Sequence, residues 1–144
     1  YALQNLGVKD IRLTARRAEV GVELTARFGA EFVAWEQRSE RPAQVVINTT
    51  PLGMAGSAGE RETPLSVADF IALAEDFAPA ACLAYDLVYN PLCTPFLSAA
   101  ASAGWEAQEG LTMLAAQGLA QFELWSGKAA PPRDEALAVL KSAL

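Results

Sequence analysis

Short segments of strand character alternate with segments of helical spacing along this chain, and the links between them are short. That alternation constrains the fold more than any other feature of the sequence. The clearest strand signals are Val45-Val46-Ile47, inside Gln44 to Asn48, and the run Ala80 to Tyr85. A β-branched or apolar run bounded by turn residues suggests a strand buried on both faces, as in a parallel sheet. Weaker strands are read at Lys9 to Thr14, where Ile11 and Leu13 alternate with polar residues, at Glu31 to Trp35 and at Trp105 to Gln108.

Helices fill the intervals. Tyr1 to Leu6 reads as the last turns of a helix that Gly7 ends. Arg17 to Phe28 sets Val20, Leu24 and Phe28 at helical spacing, with Gly29 as its stop. Ser66-Val67-Ala68-Asp69 resembles a capping box with Asp in place of Glu, opening a helix to about Phe77. Thr94-Pro95 supplies an N-cap followed by proline at the first helical position, for a helix to about Ala103. Gly110 to Trp125 is a long helix, Pro132 to Leu144 a final one, and Pro51 to Thr63, rich in Gly and Pro, a loop. The pattern specifies an α/β fold, a Rossmann-like doubly wound parallel sheet with C-terminal helices. Residues 1–144 read as one domain that starts late: the chain opens inside a helix, and a strand is expected before it.

Composition narrows the function classes. Apolar residues make up 52% and charged residues 19%, enough apolar material for a core. The net charge of −6 argues against nucleic acid as a partner, which calls for a basic face. No apolar run approaches the roughly 20 residues a membrane span needs, and no basic start with an apolar stretch behind it suggests a secretory signal. The only cysteines, Cys82 and Cys93, lack metal-ligand spacing and fit incidental thiols in a reducing, cytoplasmic setting. No metal site is expected. The chain has no histidine, which removes the commonest general base. Chemistry therefore comes from other groups or from another piece of protein.

In an open α/β sheet, ligands bind beyond the C-terminal ends of the strands. Three segments lie at such ends. Thr14-Ala15-Arg16-Arg17 contains no acid. Where an acid at the end of the second strand binds the ribose of NAD, an arginine accommodates the 2′-phosphate of NADP, so NADP is favoured; the alternative is two solvated arginines opening a helix. Asn48-Thr49-Thr50-Pro51-Leu52-Gly53-Met54 offers hydrogen bonds to a ribose or nicotinamide, or forms an ordinary polar turn. Tyr85-Asp86-Leu87-Val88-Tyr89-Asn90-Pro91 places Asp86 at a strand end, as a general base or as a structural carboxylate bonding backbone N–H groups. On the long helix, Leu111, Leu114, Ala115, Gly118, Phe122 and Trp125 form an apolar side. Gly110, Met113 and Gln117 share another face: glycine permits close approach to the backbone, a helix N-terminus carries free N–H donors, and Gln117 either bonds a hydroxyl or is a surface residue.

The strings Ile47 to Met54, Tyr85 to Pro91 with Thr94-Pro95, and Gly110-Leu111-Thr112-Met113-Leu114-Ala115-Ala116-Gln117 together resemble the shikimate dehydrogenase family, in its order and at its spacing. The tail Gln121 to Gly127 resembles it too. The resemblance implies NADPH-dependent reduction of 3-dehydroshikimate to shikimate, a step of aromatic amino acid biosynthesis. It implies that Arg16 meets the 2′-phosphate of NADP, with Ala15 and Arg17 standing where the family usually has Asn and Thr, so the phosphate clamp is altered. It further implies that Thr49 and Thr50 line the cofactor, that Leu87, Gly110 and Met113 lie against the nicotinamide, and that Tyr89 and Gln117 contact shikimate.

The departures are as informative. The family's Gly-rich phosphate loop and first strand are expected before Tyr1 and are not in these residues. The first strand is central in the doubly wound order, so its absence is expected to split the sheet. The family's catalytic lysine and aspartate belong to an N-terminal substrate domain, so no catalytic residue is expected in residues 1–144, and the fragment alone is expected to be inactive and poorly stable. Two alternatives remain: a quinate or aminoshikimate dehydrogenase, and a non-catalytic nucleotide-binding module. Oligomeric state is not legible.

Overall fold

Five short strands pair only in parallel, and they form two sheets rather than one. The computed structural model describes all of residues 1–144, which fall into two compact units, Tyr1–Arg41 and Pro42–Leu144. The expected split of the sheet is met. In the doubly wound strand order 3-2-1-4-5-6, a two-stranded and a three-stranded sheet correspond to 3-2 and 4-5-6.

In the first unit, β1 (Arg12–Thr14) pairs with β2 (Glu31–Val33), Leu13 opposite Phe32. Helix α1 (Ala2–Asn5) precedes them and α2 (Ala18–Phe28) connects them. Gly21 on α2 leaves the space that the Phe32 ring occupies, so helix and strand approach closely. Gly29 ends α2 in the left-handed conformation, φ 62°. The strand expected over Glu31 to Trp35 stops at Val33, and Trp35–Gln37 forms a 3-10 turn. There the Arg38 guanidinium lies 4.7 Å from the Trp35 ring centroid and donates to the Trp35 carbonyl at 2.6 Å.

In the second unit the order is β3-β4-β5, with β3 (Val45–Asn48) and β5 (Glu106–Gln108) flanking β4 (Leu83–Asp86). The main core cluster runs from Leu65 to Trp105, with Ala84 of β4 within it. Phe70 of α3 (Val67–Leu73) and Phe96 of α4 (Pro95–Ser102) are fully buried with ring centroids 5.2 Å apart. Trp105 meets Phe70 edge-on at 5.1 Å, and its indole N–H donates to the Phe70 carbonyl at 3.1 Å. The capping box at Ser66 and Asp69 is formed in both directions. Helix α3 stops at Leu73, short of Phe77, where the acidic Glu75 and Asp76 would sit unfavourably at a helix C-terminus. Pro79–Ala81 is a 3-10 turn, so β4 begins at Leu83 and runs on to Asp86. Helices α5 (Leu111–Ser126) and α6 (Arg133–Ser142) close the chain. The apolar side expected on α5 is buried only near its start, at Leu111 and Ala115; Phe122 and Trp125 are 44% and 78% exposed. No helix is long and apolar enough to cross a membrane.

Candidate functional site

Two of the three strand-end segments meet in the second unit. Strands β3 and β4 run side by side with Asn48 opposite Asp86, so the loops leaving them emerge together. Between those loops lies a cleft of about 390 Å³. Thr49, Thr50, Pro51, Met54 and Ala55 line it from the β3 side, and Leu87, Val88, Tyr89 and Asn90 from the β4 side. A backbone bond from Ala55 N–H to the Asn90 carbonyl, 2.9 Å, ties the two loops together.

Polar side chains beneath the cleft fix its walls. Asp86 is fully buried and accepts three hydrogen bonds: from Asn48 Nδ2 at 2.9 Å, from the Val88 N–H at 3.0 Å and from Thr94 Oγ1 at 2.6 Å. Asn48 Oδ1 in turn accepts from the Thr50 N–H at 3.0 Å and from Thr50 Oγ1 at 2.7 Å, a turn built by a side chain mimicking backbone. Thr94 Oγ1 also accepts from the Leu97 N–H at 3.2 Å, capping α4. Burial pushes the Asp86 carboxyl above the usual range, and the bonds from Thr94, Val88 and Asn48 pull it back in part. Of the two roles open for Asp86, the structure selects the structural carboxylate: with no exposed surface it reaches no ligand.

The Thr49 side chain is exposed, whereas the Thr50 hydroxyl is committed to the turn, donating to Asn48 and accepting from the Leu52 N–H at 3.3 Å. Leu87 is half-buried in the cleft wall and Tyr89 is 41% exposed at it. Gly110 is buried behind Leu87. A Cβ there would lie 2.6 Å from the Leu87 carbonyl oxygen, and the Gly110 N–H donates to the Val88 carbonyl at 3.3 Å. What approaches this glycine is therefore the chain's own backbone. Met113, half-buried, and Gln117, exposed, follow on α5 and are not among the residues lining the cleft. Ala15, Arg16 and Arg17 belong to the first unit; Ala15 is half-buried, both arginines are exposed, and Arg17 stands at the N-cap of α2 without a capping side-chain bond.

Sequence reasoning missed two features of the site. Glu109 carries its carboxylate to the start of α5, accepting from the Thr112 N–H and hydroxyl, both at 3.2 Å, so one of the expected free donors is taken. The spacing of an acid three residues before Thr112 is the signal that could have found it. The second feature is Thr94 as a partner of Asp86: its role as an N-cap was legible, its second bond was not.

The family described as "Shikimate 5'-dehydrogenase C-terminal domain" matches residues 110–141. A relative named shikimate dehydrogenase (NADP(+)) from Oleidesulfovibrio alaskensis is 45% identical over 130 residues, 90% of this chain and 44% of that protein. One of the same name from Pelobacter propionicus is 38% identical over 129 residues, again 90% of this chain and 44% of that protein. The crystal structure of a shikimate 5-dehydrogenase from Thermus thermophilus, in complex with NADP(H) and shikimate, superposes with a TM-score of 0.80 at 31% identity, covering 99% of this chain and 49% of that one. The chain thus spans less than half the length of the curated relatives it matches.

Proposed function

We propose, from this chain's similarity to shikimate dehydrogenases, that it forms the cofactor-binding portion of an NADP-dependent enzyme that interconverts 3-dehydroshikimate and shikimate. The observation that carries this reading is the single cleft lined by Thr49, Thr50, Leu87 and Tyr89 at the ends of two adjacent parallel strands, the position where doubly wound folds bind nucleotides. NADP supplies the hydride. The protein's part is binding, orientation and exclusion of water. The cleft suits a nicotinamide: Leu87, Val88 and Met54 give it apolar wall, and the exposed Thr49 hydroxyl, free of protein hydrogen bonds, gives it a polar group at the edge.

In this reading Leu87 packs on the nicotinamide face, with Gly110 and Met113 behind it. Tyr89 and Gln117 reach the hydroxyls of the substrate. In the first unit, Arg16 pairs with the 2′-phosphate and Ala15 and Arg17 flank it. The catalytic lysine and aspartate belong to the N-terminal substrate domain of the family, and residues 1–144 alone are inactive. The two free cysteines fit a cytoplasmic setting.

The test is an assay of the complete reading frame carrying this chain, with shikimate and NADP as substrates and NADPH formation as the readout. Activity with both supports the reading. Turnover of quinate or an amino analogue but not shikimate would overturn the substrate, and turnover with NAD alone would overturn the cofactor.

A further inference from the structure

We propose that Asp86 is a positioning residue for the cofactor: one buried carboxylate holds the Asn48–Leu52 turn, the Leu87–Asn90 loop and the N-terminus of α4 at the spacing that opens the cleft. The inference rests on the reading of that cleft as a nucleotide site.

Each of the three bonds Asp86 accepts comes from a different segment. Asn48 Nδ2, at 2.9 Å, belongs to the end of β3. Through Asn48 Oδ1 the link continues to Thr50, which lines the cleft. The Val88 N–H, at 3.0 Å, sets the backbone between Leu87 and Tyr89, which line the opposite wall. Thr94 Oγ1, at 2.6 Å, anchors the first turn of α4. Gly53, in the left-handed conformation at φ 85°, lies so close to that turn that a Cβ would come within 3.2 Å of Thr94 Cβ and of Pro95 Cδ. Thr94 therefore also backs the loop that forms the β3 side of the cleft.

The choice of an acid follows from this arrangement. A carboxylate is the side chain that accepts from three donors at once without presenting a donor of its own. A buried charge is a poor source of stability, because desolvation opposes the gain, so fixed geometry is its better-attested use. All hydrogen-bonding side-chain atoms buried in this structure have partners, so the network has no slack through which one segment moves without the others. Asp86 has no exposed surface and acts on the cofactor only through Thr50, Leu87 and the loop at Gly53.

The experiment uses the complete reading frame carrying this chain, with NADPH affinity read from nicotinamide fluorescence and folding from the thermal midpoint. Thr94→Val, near-isosteric but without the hydroxyl, is expected to weaken NADPH binding roughly tenfold, the size of one lost charge-assisted hydrogen bond. Thr94→Ser keeps the hydroxyl and is expected to restore affinity to within about threefold. Asp86→Asn keeps the shape but turns an amide N–H toward Thr94, and is expected to weaken binding by a similar roughly tenfold factor. A folded Thr94→Val that binds NADPH as the unaltered protein does would overturn the inference and leave the cofactor reading intact. No binding by the unaltered protein would overturn the cofactor reading first, and the inference with it. Loss of the fold in both Thr94→Val and Asp86→Asn would assign the network to stability alone and also overturn the inference.

Discussion

The two units of this chain are built from the same parts, parallel strands with a covering helix, yet they bury side chains to very different extents. Every apolar core residue belongs to the second unit, where Phe70, Phe96 and Leu111 are wholly enclosed. In the first unit only Gly21 and Thr25 are buried, while Val20, Val22, Leu24 and Phe28 are between 37% and 52% exposed. Its side chains are tied instead by peripheral bonds, such as Gln4 to the Phe28 carbonyl and the exposed Arg41–Glu31 pair at 2.7 Å, which contribute little. The difference teaches that hydrogen-bonded strand and helix are not enough. A two-stranded sheet under one helix removes too little apolar surface from water to offset the entropy of ordering it.

Substitutions test this contrast directly. Phe70→Ala should destabilise the protein most, by about 3–5 kcal/mol in chemical denaturation, because the ring is enclosed between Phe96 and Trp105. The matching change in the first unit, Phe28→Ala, removes a ring that is 39% exposed and should cost about 1 kcal/mol. Equal losses would break the comparison. Gly110→Ala comes next, at about 1–3 kcal/mol, since the added methyl meets backbone rather than a movable side chain; an unperturbed denaturation midpoint would count against that packing.

Asp86→Asn sharpens the picture through pH. Burial raises the folded-state pKa of Asp86 above its unfolded value. The folded state therefore holds this proton more tightly than the unfolded chain does. Stability from that source is complete below the ordinary carboxylate pKa of about 4 and is lost as pH rises through the raised value. The asparagine variant should gain on the unaltered protein across that window, and a difference in unfolding free energy that stays flat with pH would contradict the assignment. The smallest effect is expected for Arg16→Ala, exposed in the first unit, with a stability change within about 0.5 kcal/mol. On the proposed function it weakens NADP binding and leaves NAD binding unaltered, which paired titrations would read.

The elements with local signatures were legible in the sequence. Ser66 and Asp69 announce α3, Thr94-Pro95 announces α4, and Gly29 ends α2 because each signal lies within a few residues of its effect. The division of the sheet followed from strand order. The rest depended on contacts across the chain. The strand at Glu31 stops before Trp35 because its partner β1 ends at Thr14, opposite Val33, and the exposed Phe122 and Trp125 follow a helical apolar pattern that nothing in this chain covers. At the site, the resemblance named ten residues; Thr49, Thr50, Leu87 and Tyr89 line one cleft, Gly110, Met113 and Gln117 are not among its lining residues, and Ala15, Arg16 and Arg17 belong to the first unit. The role of Asp86 stayed open in the sequence because its side-chain partners, Asn48 and Thr94, are 38 and 8 residues away, and only their meeting decides between an acid that works and an acid that holds.

The tryptophans turn this uneven burial into something a spectrometer can follow. The chain has three, and each samples a different environment: Trp105 enclosed at 4% exposure with its indole bonded to Phe70, Trp35 beneath the Arg38 guanidinium, and Trp125 open to solvent at 78%. Emission from the first should be blue-shifted and report the core, while the last should emit near the wavelength of indole in water whether the protein is folded or not. Single-tryptophan versions would therefore let each region's melting be watched in its own colour.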